Sequence, residues 1–124
     1  MKKIIALLLL LSTLMATNAY ASESGYFTPV GLNEWKYVES DTCVTNRWIY
    51  TRDRWFYAGK NGLILQNTWF NDTDGKWYYF GIDGAMLHDT STPDGFIVGS
   101  DGAWIKDGEV VVESPSAIET TTNN

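Results

Sequence analysis

The chain has 124 residues, a formal net charge of −6 and an aromatic content of 15 %. That length bounds it to one small domain, and its acidic balance makes a polyanion such as nucleic acid an unfavourable partner. Cys43 is the only cysteine and cannot close an internal disulfide, and beside a lone His88 it leaves no His/Cys cluster of the kind that holds zinc.

The first segment differs in kind from the rest. Lys2 and Lys3 precede an apolar run from Ile4 to Leu11, and Ala19-Tyr20-Ala21 fits the small-x-small pattern that signal peptidase cuts. Residues 1–21 are therefore expected to be a signal peptide cleaved before Ser22, because the run is shorter than the roughly 20 apolar residues that span a bilayer. Losing its two lysines takes the formal charge from −6 to −8, and the product is expected to be secreted.

Residues 22–34 form an N-terminal lead-in. Beyond it no stretch places apolar residues at helical spacing between capping signals, whereas short runs rich in Trp, Tyr, Phe, Ile and Val lie between glycine-containing turns. The fold is expected to be all-β. After residue 21, Leu, Ile and Val number seventeen and aromatics also number seventeen, so aromatic side chains must supply much of the core. Six dipeptides, Asn61-Gly62, Asp74-Gly75, Asp83-Gly84, Asp94-Gly95, Asp101-Gly102 and Asp107-Gly108, favour the type I′ turn, and each flags a hairpin.

Those runs repeat. Trp77-Tyr78-Tyr79-Phe80-Gly81-Ile82-Asp83-Gly84-Ala85-Met86-Leu87 overlays residues 55–65 at an offset of 22 without a gap. At an offset of 18, residues 78–87 overlay Phe96 to Ile105, keeping Gly, Asp-Gly and Ala in place. A degenerate first copy begins at Trp35, with Thr42 in place of the turn glycine, and a second tryptophan series runs through Trp48 and Trp69. Hairpins this short cannot bury their own faces, so the copies must stack as a solenoid of about four units of ~20 residues over 35–108. In 109–124 the Val110-Val111-Val112 triplet offers an edge strand, and the last ten residues are expected to be a disordered tail.

The stretch from Asn67 to Met86, with Trp69, Asp74-Gly75, Trp77-Tyr78-Tyr79-Phe80, Asp83-Gly84 and Met86, resembles the cell-wall-binding, or choline-binding, repeat of Gram-positive surface proteins. The resemblance covers residues 35–105 and leaves no stretch among them for a catalytic domain. It implies a secreted, wall-associated, non-enzymatic module that recognises choline of teichoic acid, or a wall or exogenous glycan, in aromatic pockets between repeats. A quaternary ammonium cannot be hydrogen bonded, so aromatic faces are the recognition available to it, at roughly 0.5–2 kcal/mol per ring.

Carried over by position, the cage is expected to use Trp55 from one repeat and Trp69, Trp77 and Tyr79 from the next, with Met86 as an apolar floor. A weaker candidate combines Trp35, Trp48, Trp55 and Tyr57. Gly95 and Ile97 stand where the earlier repeat has Trp77 and Tyr79, so the last repeat is expected to be a cap. Strand alternation puts Trp77 and Tyr79 on one face and Tyr78 and Phe80 on the other.

No cofactor and no metal are implied. Asn71-Asp72-Thr73-Asp74-Gly75 faintly resembles a calcium loop, but Phe70 occupies the first ligand position and no Glu stands at the twelfth. Asp72 and Asp74 lack the cleft that a glycosidase pair must flank. His88 is expected in an exposed loop, and Cys43, which overlays Leu63 and Ala85, is expected to be buried. The alternative is a structural or partner-binding repeat protein whose aromatics serve only as core, with a homodimer formed through the Glu109–Glu113 edge.

Overall fold

The computed structural model describes residues 25–113, so the expected signal peptide and the expected disordered tail lie outside the described residues. Eleven short strands are all joined antiparallel, as a solenoid of small hairpins. They are β1 (Tyr26–Gly31), β2 (Glu34–Glu39), β3 (Thr42–Cys43), β4 (Arg47–Thr51), β5 (Arg54–Ala58) and β6 (Thr68–Asn71). The remainder are β7 (Trp77–Phe80), β8 (Thr90–Ser91), β9 (Ile97–Val98), β10 (Trp104–Lys106) and β11 (Glu109–Val110). Sheets are formed by β1-β2-β3, by β4-β5, by β6-β7 and by β8-β9-β10-β11.

The two tryptophan series are the two strands of one hairpin. Trp48 on β4 lies opposite Tyr57 on β5, and Trp69 on β6 lies opposite Tyr79 on β7. Phe27 on β1 lies opposite Tyr37 on β2 in the same register, so the lead-in contributes the first strand of a hairpin, which sequence periodicity did not indicate. Its first strand has Phe where the later copies have Trp, which removes the residue that marks the repeat.

Four of the six Asx-Gly dipeptides, at 74–75, 94–95, 101–102 and 107–108, lie between paired strands. The other two, Asn61-Gly62 and Asp83-Gly84, also turn the chain back on itself, between the antiparallel bridges Ala58–Ile64 and Phe80–Met86, and lead from one hairpin to the next. Of the six, only Asp107-Gly108 has positive φ at both residues, as a type I′ turn requires. The β4-β5 turn is instead made by Arg52 and Asp53, with φ of 53° and 58°, and the β2-β3 turn by Ser40 and Asp41, with φ of 49° and 60°. Non-glycine residues adopt that left-handed backbone uncommonly, Asp and Asn most readily, so these turns carried no Asx-Gly signature.

The connecting segments tie the units together. Leu65 N–H donates to Tyr57 O of its own hairpin, while Ile64 N–H donates to Trp35 O of the preceding one. One repeat later, Leu87 N–H donates to Tyr79 O and Met86 N–H to Trp55 O. Successive residues thus bond alternately within a unit and across the junction, giving the nearest-neighbour architecture of a solenoid. Gly102 shows why glycine is required there: its φ is +83°, and an added Cβ would sit 2.5 Å from Met86 Sδ.

Burial follows the same period. Val38 near the end of β2, and Ala58, Phe80 and Val98 at the ends of β5, β7 and β9, are all buried, Phe80 completely. One core cluster gathers Tyr37, Val44, Ile49, Phe56, Ala58, Ile64 and Ala85. A second holds Tyr78, Phe80 and Ala103, with Trp48, Tyr57 and Phe70 packed against it. Cys43 is exposed, contrary to expectation; its pairing with Val38 aligns it with Ile64 and Met86, one residue on from Leu63 and Ala85, and the neighbouring Val44 is buried.

Residues 109–113 turn back on their own chain. Val112 bridges to Lys76, Val111 N–H donates to Trp104 O, and Glu113 N–H donates to Gly75 O at 2.7 Å. The stretch expected to offer an edge to a second copy thus covers the open side of the β6-β7 hairpin.

Candidate functional site: a ladder of aromatic grooves

Side chains on the outer faces of the hairpins meet residues of the next unit in three grooves at equivalent places. The last groove is lined by Trp69 and Trp77 from β6 and β7, by Phe96 and Trp104 from the following unit, and by Asp94 and Glu113, around a cavity of ≈ 260 Å³. The Phe96 ring stands perpendicular to Trp69, at 5.8 Å and 87°, and to Trp104, at 5.4 Å and 84°. Trp69 and Trp104 lie 6.3 Å apart at 58°.

Carboxylates are fixed to this cage by its own indoles. Trp69 Nε1–H donates to Asp94 Oδ2 at 2.9 Å, and Trp77 Nε1–H donates to Glu113 Oε2 at 3.1 Å. Thr92 also donates its hydroxyl to Asp94. The Thr92 bond first and the Trp69 bond second hold the Asp94 carboxyl below the usual carboxylate range.

The middle groove repeats the pattern one unit earlier, with Trp48, Trp55, Tyr78 and Met86 as walls, Asp72 and Asp101 as carboxylates and a cavity of ≈ 380 Å³. Trp48 stands nearly perpendicular to Trp55, at 6.1 Å and 87°, and to Tyr78, at 5.0 Å and 83°. Trp48 Nε1–H donates to Asp72 Oδ2 at 2.8 Å, and Tyr78 Oη donates to Asp74 Oδ2 at 2.8 Å. Burial, then the Asp74 bond, pushes the Tyr78 hydroxyl pKa strongly upward, so it stays a donor throughout the physiological range.

An exchange of partners links the two grooves. Asp72 N–H pairs with Lys76 O, and Thr92 N–H pairs with Phe96 O, so Thr92 occupies the place of Asp72 and Asp94 that of Asp74. Where Thr92 removes the first carboxylate, Asp94 accepts from Trp69 as Asp72 accepts from Trp48.

The first groove is lined by Phe27, Trp35, Phe56 and Ile64, but its charged groups are Arg52, Arg54 and Asp83, around ≈ 490 Å³. Arg54 is paired with Asp83 at 2.8 Å.

The five residues expected to form one cage are divided. Trp69 and Trp77 share the last groove, Trp55 and Met86 share the middle one, and Tyr79 is buried behind Trp69, its ring 5.2 Å away. In the weaker set, Trp48 and Trp55 meet in the middle groove, Tyr57 packs against Trp48 at 5.4 Å, and Trp35 belongs to the first. Phe96 and Trp104 escaped notice as walls, although the offset of 18 aligns them with Tyr78 and Met86. The last repeat lacks a cage of its own yet completes the preceding one. Among the described residues no three His, Cys, Asp or Glu side chains gather as a metal-ligand set.

These stacked hairpins with aromatic clusters at their junctions define the class of repeat module that binds cell walls. Residues 74–104 match the family model described as a choline-binding repeat, and residues 46–64 match that of a putative cell wall binding repeat. The choline-binding domain of Spr1274 from Streptococcus pneumoniae is 30 % identical, with a TM-score of 0.56 over 64 % of this chain and 93 % of that domain. Choline-binding protein F from Streptococcus pneumoniae, solved in the presence of a peptidoglycan analogue, is 34 % identical with a TM-score of 0.54. That match covers 64 % of this chain but only 26 % of the other. The multimodular pneumococcal cell wall endolysin from phage Cp-1, complexed with choline, shares the fold at 22 % identity and a TM-score of 0.59, over 68 % of this chain and 25 % of that one. No protein among those of curated function matches. The chain belongs to the choline-binding, cell-wall-binding repeat family.

Proposed function

We propose that this chain is a secreted, non-enzymatic module that attaches to the cell wall by holding the choline of teichoic acid in its last and middle grooves. The observation that carries this reading is the last groove, where four rings surround a small cavity and two carboxylates are anchored on the walls. A trimethylammonium offers no hydrogen bond, so ring faces and fixed negative charge are the recognition it can receive. Three or four rings supply a few kcal/mol, and a millimolar Kd corresponds to about 4.1 kcal/mol. One groove therefore binds loosely, and two grooves on one repeating polymer gain avidity through effective concentration.

A thermal melt with and without ~10 mM choline chloride, against matched sodium chloride, tests the assignment. A ligand that binds only the folded state raises the melting temperature by linkage, so a shift of several degrees is expected, reduced in Trp69→Ala. An unshifted wild-type melt overturns the choline assignment. Incubation with purified walls is expected to retain the protein on the pellet without releasing soluble fragments, and release would overturn the non-enzymatic role.

A further inference from the structure

The first groove has the position of a choline cage but the opposite electrostatics. The middle groove presents Asp72 and Asp101 and the last presents Asp94 and Glu113, whereas the first presents two guanidiniums, Arg52 and Arg54, and one carboxylate, Asp83. That carboxylate is held by Arg54 at 2.8 Å, so it is already neutralised by a cation of the protein. Phe27 stands where the other grooves have Trp48 and Trp69, and it has no indole N–H with which to anchor a second acid. A quaternary ammonium entering here would meet repulsion where the equivalent grooves attract it.

Aromatic surface is nevertheless kept. Trp35 is 42 % exposed, and Phe27 packs edge-on against Phe56 at 4.9 Å behind it. An exposed indole face beside guanidinium groups suits a ring that carries an oxyanion, because the flat face stacks on the apolar side of the ring and Arg forms forked hydrogen bonds to phosphate. We propose that the first groove is a separate binding site for a phosphorylated sugar, with Trp35 as platform and Arg52 and Arg54 as the anion contacts. The chain then reads two features of one kind of charged polymer: cationic groups in the middle and last grooves, and a phosphate-bearing sugar in the first.

The indole Nε1–H resonance of Trp35, assigned with Trp35→Phe, reports on this groove in a protein with six tryptophans. Titration of the purified protein with glucose 6-phosphate is expected to move that resonance saturably, with a Kd of about 1 mM. Glucose alone and inorganic phosphate alone are expected to bind more weakly. Arg52→Asn keeps a residue that tolerates the left-handed backbone of position 52, where φ is 53°, and is expected to weaken glucose 6-phosphate by about fivefold. Arg54→Gln is expected to act in the same direction. No movement of the Trp35 resonance overturns the proposal. An equal response to glucose removes the role of charge, an equal response to inorganic phosphate removes the role of the platform, and either result overturns it as well. A parallel choline titration, read at the Trp48 and Trp69 indoles, reports the other two grooves, so the two assignments fail separately.

Discussion

The first and last grooves occupy the same place in the repeat and are built from the same kinds of ring, yet their charged residues oppose one another. In the last groove the indoles of Trp69 and Trp77 hold Asp94 and Glu113 against the walls, whereas in the first Arg54 holds Asp83 and Arg52 adds a second cation. The aromatic lattice is thus a scaffold property, set by the need to bury rings between units. Ligand preference is set by a few polar substitutions at the rim.

The largest expected effect comes from the core behind the middle groove, where Phe80 clusters with Tyr78 and Ala103. Phe80 is fully buried, and its ring lies 5.5 Å from Trp48. Phe80→Ala is expected to cost about 3–5 kcal/mol, read as a fall in the denaturation midpoint. The choline response of the middle groove, whose Trp48 wall rests on Phe80, is expected to weaken with it, and if the melt were unchanged the assignment of the core would be wrong.

Trp69→Ala separates the grooves. Loss of one cage wall is expected to remove about 0.5–2 kcal/mol of choline binding from the last groove, while the Trp48 indole resonance keeps its titration. Equal loss at both would show that they are coupled and not repeated copies of one site.

A smaller effect tests the carboxylates. Tyr78→Phe makes the middle groove resemble the last by removing the hydroxyl that Asp74 accepts, and is expected to cost about 1 kcal/mol of stability. Arg54→Gln, at an exposed ion pair, is expected to change stability by no more than about 0.5 kcal/mol. A cost as large as that of Tyr78→Phe would mean that the Arg54–Asp83 pair shapes the fold and not only the charge of the first groove.

The acid response has a definite sign. Hydrogen bonds from Thr92 and Trp69 place the folded pKa of Asp94 below its unfolded value of about 3.9. The stability it contributes is therefore complete above that value and is lost as pH falls through the lower, folded one. The Trp69 indole resonance is expected to hold its position from pH 7 to about 4.5 and to move only under the ordinary Asp range. Movement near pH 5 would show that Asp94 is not the group it reports.

Several levels of this organisation were legible in the residues. The offset of 22 between Trp55 and Trp77, the alternation of strand residues and the glycines at Asx-Gly positions led to an all-β stack of hairpins. The pairing of strands was less accessible, because the Arg52-Asp53 and Ser40-Asp41 turns carry no glycine. A further periodic signal was present but unused. Asn46, Asn67 and Asp89 each have positive φ, and each donates its N–H to a glycine carbonyl, marking the start of a unit.

The sequence by itself determined the period, the strand content and the aromatic character of the core, because these depend on local turn chemistry and on hydrophobic burial that recurs along the chain. Only the tertiary structure decided which rings share a groove. A period states that units stack, but the walls of each groove come from two units and a connector, and their meeting depends on how the hairpins rotate past one another. Trp69 therefore faces Trp104 and not Met86, and Glu113 reaches Trp77 only because the chain after β11 folds back across Gly75. The charge of each groove follows from those same long-range meetings, since Arg54 and Asp83 lie 29 residues apart and Trp69 and Asp94 lie 25 apart.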